Sequence, residues 1–307
     1  MRNAFAQKLA ELQQIQNELV LVYGDIGNKL FDKFKSLDNS KYINAGIAEA
    51  SMISMAAGLA KGGFRPVVYT INSFLYLKSI EQIKLDICYP ELPVIMVGTG
   101  GGFAYSELGT THHSLEDIGI LSTIPNLQIL NPADSYEVQS ALQWAITSNR
   151  PTYIRIGKKG EELIHDEDIN AHDQHFGPFQ LIDNLNAKSA VLSTGTISRN
   201  ALSATMIANN TKEVDFWSFP QIKPLNMDFI IKKLTKYSTI IVIEEHNSFG
   251  GLGSILSFQI HKTNNMKIKL HSINSQDKFH TAAGSLSDIR IKLKLNPDEI
   301  CKVIEAN

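Results

Sequence analysis

The chain has 307 residues, 43% of them hydrophobic, and 29 Lys and Arg against 31 Asp and Glu leave a formal charge of −2. That balance excludes the basic excess with which proteins track nucleic-acid phosphates, and two distant cysteines, Cys88 and Cys301, give no basis for a disulfide framework or zinc site and fit a reducing cytoplasm. At roughly 150 residues per domain the length predicts two domains, each large enough to bury a core.

The opening MRNAFAQKLAELQQIQNELV places Phe5, Leu9, Leu12 and Ile15 on one helical face, interrupted by Lys, Glu and Gln, which reads as neither a signal peptide nor a membrane span. No other apolar run approaches the ~18 residues a spanning helix needs, so no membrane partner is expected. Five short apolar runs follow, at 18–23, 66–71, 92–98, 127–131 and 152–157, and each reads as a strand buried on both faces. Helix-length patterns separate them. The clearest opens at NPADSYEV, where Asp134 can cap and Glu137 sits three residues on, as in a capping box. This alternation predicts an α/β fold whose first domain, residues 1–160, is a doubly wound, mostly parallel sheet. Residues 161–178 lose periodicity, turn charged and end in Gly177 and Pro178, the pattern of a linker. Strand-like runs at 189–195, 213–219, 239–245 and 267–273, with a helix after the first and third, predict a smaller α/β domain over 179–307.

Two glycine clusters invite a nucleotide reading. VGTGGGF follows a strand, but Phe103 stands where the dinucleotide fingerprint requires its third glycine and no P-loop Lys follows. It is either a strand-end loop or a backbone brought close to a ligand. SFGGLGS follows a later strand and opens a helix, which favours tight strand–helix packing. In NAGIAEASMISMAAGLAKGG, Glu49 is the only ionisable residue between Ala45 and Ala60, with no basic residue one helical turn away. Spacing leaves two readings open: a first-turn carboxylate capped by Asn44, or a desolvated carboxylate of raised pKa poised to share a proton with a ligand. YSELGTTHHSLEDIG gathers Thr111, His112, His113, Glu116 and Asp117 just after a central strand, without the ligand spacing of a metal site.

Glu49 in its apolar helix, Phe74 in YTINSF, THHSLEDIG, IPNLQILNPADSYEV and RPTYIRIG, in that order, resemble the pyrimidine-binding domain of thiamine-diphosphate enzymes of the transketolase and 1-deoxyxylulose-5-phosphate synthase group. EEHNSFGGLGS and the second domain are similar to the transketolase C-terminal domain. The resemblance implies that Glu49 hydrogen-bonds the ring nitrogen of the cofactor's aminopyrimidine, that Phe74 stacks on that ring, that Tyr42 and Ile71 line its pocket and that Asp25 lies close to the cofactor. It implies that His112 moves protons at substrate hydroxyls, with His113 a neighbouring contact, and that Arg155 binds a substrate phosphate. The family has an Asp where this chain has Leu108, which points to an altered substrate; Lys29 or Asn28 are polar candidates to compensate.

The family's other half, which carries the Gly-Asp-Gly and Asn motif for Mg2+ and the diphosphate, has no counterpart here; YGDIGN lacks its third glycine and its distant Asn. The resemblance therefore implies the C-terminal subunit of a split transketolase, transferring a two-carbon ketol unit between sugars or sugar phosphates. Thiamine diphosphate would bind across an interface with an N-terminal subunit that supplies the Mg2+ ligands, in a heterotetramer of two copies of each chain (α2β2). The rival is the β subunit of a 2-oxo-acid dehydrogenase first component, which shares the two-domain plan; a non-catalytic relative sits poorly with the presence of Glu49, Phe74 and His112.

Overall fold

Six parallel strands are built from the apolar runs and from one short segment the apolar pattern does not mark: β1 (Leu19–Tyr23), β2 (Tyr42–Asn44), β3 (Arg65–Ile71), β4 (Ile95–Thr99), β5 (Gln128–Leu130) and β6 (Thr152–Ile156). Their order is β5-β6-β4-β3-β1-β2. The computed structural model describes residues 1–27, 29–167, 169, 175–262, 267–281 and 284–307; Asn28 and six residues of the expected linker, 168 and 170–174, lie outside the described residues.

Helices cover both faces, which is why the central strands carry no polar alternation. On one face α3 (Glu49–Lys61) and α4 (Asn72–Gln82) pack Met52, Ile53 and Leu75 against Val20, Val22, Val68 and Met96. On the other, α1 (Arg2–Gln13) and α6 (Ser135–Ser148) pack Phe5, Leu9 and Trp144 against Leu21, Tyr69 and Val97. The predicted stripe of α1 holds for Phe5, Leu9 and Leu12, but Ile15 lies past the helix end and is exposed. The chain leaves β1 toward β2 on one side and returns to β3 on the other, so the carboxyl ends of β1 and β3 form the switch point at which such sheets place ligands.

The second domain has five strands, β7 (Phe179–Ile182), β8 (Ser189–Thr194), β9 (Val214–Ser218), β11 (Thr239–Glu244) and β12 (Lys269–Ile273), ordered β12-β11-β8-β9-β7. All its pairings are parallel except β7 with β9. The two domains interlock more than the sequence suggests. A three-residue strand, β10 (Gln221–Lys223), crosses over and adds antiparallel to β5 as the seventh strand of the first sheet. The core is also shared: Leu192, Trp217, Leu252 and Leu256 of the second domain belong to the same buried cluster as Ile118, Leu121 and Ile129 of the first.

The start of α6 does more than cap. Asp134 Oδ1 accepts from the Glu137 amide (2.9 Å), and its Oδ2 accepts from the amides of Ile164 (2.9 Å) and His165 (3.1 Å). Glu137, fully buried, accepts from the Ala133 amide, one residue before the cap, and from Ser218 Oγ and His165 Nε2 (2.9 Å). The expected linker is thus docked at 164–165. Burial opposes protonation of His165, but the Glu137 hydrogen bond and the charges of Glu137, Asp134 and Asp166 outweigh it and raise its pKa above the ordinary value. A raised folded-state pKa gives stability that is complete below the ordinary histidine value and is lost as pH rises through the raised one. Amide exchange of residues 161–167, corrected for its intrinsic pH dependence, is therefore expected to quicken as pH rises above the ordinary histidine value, and His165→Gln is expected to abolish that rise; protection unchanged with pH would refute the assignment.

Candidate active site

The loops at the carboxyl edge of the first sheet bring together most of the polar chemistry singled out in the sequence. Glu49 is the first residue of α3, preceded by Ala48, which has no side chain to cap with. Asn44 does not cap this helix: its Oδ1 accepts from the Gly46 amide (2.9 Å) and its Nδ2 donates to Asp25 Oδ1 (2.9 Å). Glu49 is only 3% exposed, and its carboxylate has a basic partner after all, Lys78 Nζ at 3.2 Å. Lys78 comes from α4, four residues after Phe74 and hence on the same face, so its ammonium also lies over the Phe74 ring, 4.6 Å from the centroid. Tertiary packing of α3 on α4, not helical spacing, supplies this counter-charge.

His112 meets the other side of this pair. Its ring is edge-on to Phe74 (centroids 5.1 Å apart) and to Tyr105 (5.9 Å), and Thr111 Oγ1 lies 3.0 Å from its Nδ1. Partial burial lowers its pKa, which favours the neutral base at working pH. The loop carrying it leaves β4 and closes at a neck where Gly102 and Ser114 exchange two backbone bonds of 3.0 Å each. Below the neck lies a buried polar network. Asn72 Nδ2 donates to Ser114 Oγ (2.6 Å) and Asp117 Oδ2 (2.8 Å), the Tyr153 hydroxyl donates to Asp117 Oδ2 (2.5 Å), and Arg155 Nε lies 3.2 Å from the same oxygen.

Arg155 sits inside this network. It is 3% exposed, its Nη2 donates to the carbonyls of Ser114 and Glu245 (both 2.8 Å), and its Nε faces Asp117. This guanidinium joins the sheet, the loop neck and the second domain. The glycines of VGTGGGF serve the same junction: a Cβ on Gly101 would strike the Arg155 side chain and one on Gly102 the Glu245 carboxylate, so the close approach is to protein side chains. Phe103, at the missing third glycine, is fully buried in the second domain's core. In SFGGLGS, the amides of Leu252 and Gly253 donate to the Glu244 carboxylate (2.7 and 2.9 Å), and a Cβ on Gly251 would strike it, in keeping with tight strand–helix packing.

Other expected site residues are placed less centrally. Tyr42 stacks on Tyr23 (4.6 Å) and packs with the core on the opposite face of the sheet from α3 and α4, so it is not brought to Glu49 and Phe74. Ile71 ends β3 at the switch point, and exposed Asp25, held in a left-handed turn (φ 53°), follows β1. Leu108 is half exposed at the tip of the His112 loop, and Lys29 is exposed. His113 is turned inward, 5% exposed, edge-on to Phe103, with neither ring nitrogen bonded. Sequence reasoning missed Lys78, Asn72, Tyr153, Glu245 and His246, whose Nε2 accepts from the Gly119 amide (3.1 Å). Polar Tyr153 and Arg155 inside an apolar strand were the one available signal. Among the described residues no three His, Cys, Asp or Glu side chains gather as metal ligands. For an aminopyrimidine the residues fit: a buried carboxylate and an aromatic face share one cationic neighbour, half-exposed Lys78.

The families described as Transketolase, pyrimidine binding domain and Transketolase, C-terminal domain match residues 1–160 and 181–300. The chain is 30% identical to an apulose-4-phosphate transketolase subunit of Actinobacillus succinogenes over 85% of its length and 82% of the relative's. It is 27% identical to the protein of the same name in Phocaeicola vulgatus, over 98% and 95%. A solved structure described as a split gene transketolase, inactive beta4 tetramer, superposes with a TM-score of 0.85 at 23% identity, covering 99% of this chain and 96% of that one.

Breaking one side of a buried ion pair costs about 3–5 kcal/mol. Arg155→Ala is therefore expected to lower unfolding stability by that order in denaturant melts, and the paired change Arg155→Met with Asp117→Asn to recover part of it. An Arg155→Ala protein that melts like wild type would contradict this placement.

Proposed function

The chain belongs to the transketolase family, and from that premise we propose that it is the C-terminal subunit of a split transketolase, transferring a two-carbon ketol unit from a ketose or ketose phosphate to an aldose. One observation carries the reading: buried Glu49 and the Phe74 ring share half-exposed Lys78 as a neighbour at the carboxyl edge of the sheet, and His112 lies edge-on to the same ring. The similarity to transketolase subunits of almost the same length supports a separate N-terminal subunit; a heterotetramer with two copies of each chain is part of this proposal. The diphosphate and Mg2+ are assigned to that subunit. Exposed Ile47 and Leu77, beside Glu49 and Phe74 in the chain, are apolar surface of the kind that a partner covers.

Thiamine diphosphate, when bound, supplies the nucleophilic carbon and electron sink for breaking a bond next to a carbonyl. Glu49, with Lys78 displaced, would hold the pyrimidine ring nitrogen by a hydrogen bond and share a proton with it, a contact that low local dielectric would strengthen. Phe74 offers its freed face to that ring. His112, with Nδ1 engaged by Thr111, uses Nε2 to move protons at substrate hydroxyls. Leu108 offers no hydrogen bond to a substrate hydroxyl, so the favoured sugar differs at the position where the family's Asp binds.

The test is reconstitution with the N-terminal subunit, thiamine diphosphate and Mg2+. The pair is expected to transfer ketol units and neither chain alone to do so, and Glu49→Gln is expected to reduce the rate by about 10²-fold or more. Near-wild-type turnover in Glu49→Gln, or CO2 release from a 2-oxo acid in place of ketol transfer, would overturn the reading.

A further inference from the structure

The backbone of the loop that carries His112 is tied to the rest of the first domain at its neck. Between Phe103 and His113 its backbone closes short local turns, such as His112 N to Gly109 O (3.0 Å) and Leu108 N to Tyr105 O (3.0 Å). The first domain adds Ser73 Oγ to the Thr111 carbonyl (3.2 Å), the edge-on contact of Phe74 with His112, Lys158 Nζ over the Tyr105 ring (4.8 Å) and the exposed Lys158–Glu107 ion pair, a kind that contributes little. Further support comes from the second domain, at a residue the sequence pattern does not single out. His280 accepts a hydrogen bond at its carbonyl from Thr110 Oγ1 (3.1 Å), two residues before His112. Its ring sits edge-on to Phe103 (5.2 Å, 85°), whose other contact of this kind is His113 (5.1 Å, 80°).

His280 is itself fixed. It is 8% exposed, its Nε2 lies 2.7 Å from the Ser275 carbonyl and so carries the proton, and the Ser275 amide donates to the His246 carbonyl (2.9 Å) just past β11. A continuous chain of contacts therefore runs from the second sheet through Ser275 and His280 to both ends of the loop, at Thr110 and at Phe103 with His113. Phe103 is fully buried and cannot shift without opening the second domain's core.

We propose that His280 is a positioning residue: through Thr110 and the Phe103–His113 contact, the second domain sets where the loop holds His112. The inference rests on His112 being the proton-transfer residue proposed above, and it gives the second domain a part in the reaction that does not require it to touch substrate.

Two substitutions test it. Thr110→Val cuts the hydrogen bond while leaving His280 in place, and His280→Ala removes the ring and its anchor. In the lone subunit, both are expected to speed amide exchange in residues 104–113 at least about fivefold, with residues 114–122 and β8 and β11 unchanged. In the reconstituted complex, both are expected to lower kcat about tenfold with KM little altered, as for a catalytic group held slightly out of place, and His280→Phe, which keeps the ring contact, to recover part of the loss. Unchanged exchange in 104–113, or exchange that rises throughout the second domain together, would overturn the proposal. The underlying reading fails separately: a reconstituted His112→Ala enzyme at full rate would remove His112 from the chemistry while leaving the exchange result standing.

Discussion

The ion pair between Arg155 and Asp117 is the constraint on which the rest of the site depends. Both groups are buried almost completely, so separating either from its partner would leave an uncompensated charge inside the protein. Asp117 Oδ2 collects Asn72, Tyr153 and Arg155, and Arg155 Nη2 donates to two carbonyls. Those partners come from α4, from β6, from the neck of the His112 loop and from the second domain. The pair therefore fixes at one point the four pieces of chain that frame the carboxyl edge of the first sheet. The bare backbone of Gly101 and Gly102 is the steric condition for it, since a side chain at either place would occupy the volume of Arg155 or Glu245.

From that junction the two domains behave as one body. The Glu244–Glu245–His246 run at the end of β11 divides its work: Glu244 closes the start of α9 (Leu252–Lys262), Glu245 takes Arg290 by its carboxylate (2.7 Å) and Arg155 by its carbonyl, and His246 receives the Gly119 amide. A shared apolar core and the exchanged strand β10 add to the same union. Rigid attachment suits a site whose reactive loop borrows support from the second domain, because a hinged domain would carry the loop with it.

Much of the fold was legible because buried parallel strands are short apolar runs and surface helices repeat with their own period, both of which are local properties. β10 escaped because three residues carry no period, and the docking at His165 escaped because a charged stretch reads as solvent-exposed unless its buried partners, Asp134 and Glu137, are known. In the site, Glu49, Phe74 and His112 stood out by residue type and order. The role of Arg155 did not, because its use is decided by a carbonyl 90 residues away. Tyr42 was misplaced although the rule was available: alternation along β2 sends Ile43 to the α3 face and Tyr42 to the other.

The two ion pairs of this edge are built for opposite purposes. Arg155 and Asp117 are both inaccessible, share several partners and can separate only if the domain junction opens, so they behave as permanent structure. Glu49 is equally buried, yet its counter-charge is a lysine whose side chain is 50% exposed and whose only other contact of note is the face of Phe74. A flexible ammonium that can return to water costs little to displace, whereas an unpaired buried carboxylate is costly. Lys78 therefore solves the solvation problem of Glu49 while the site is uncovered, without committing the carboxylate to it. Any group that brings its own proton or hydrogen-bond donor to Glu49, and its own flat surface to Phe74, replaces both of the lysine's contacts at once. The same displacement leaves the ammonium free to be solvated or to meet an acidic group on whatever covers the site.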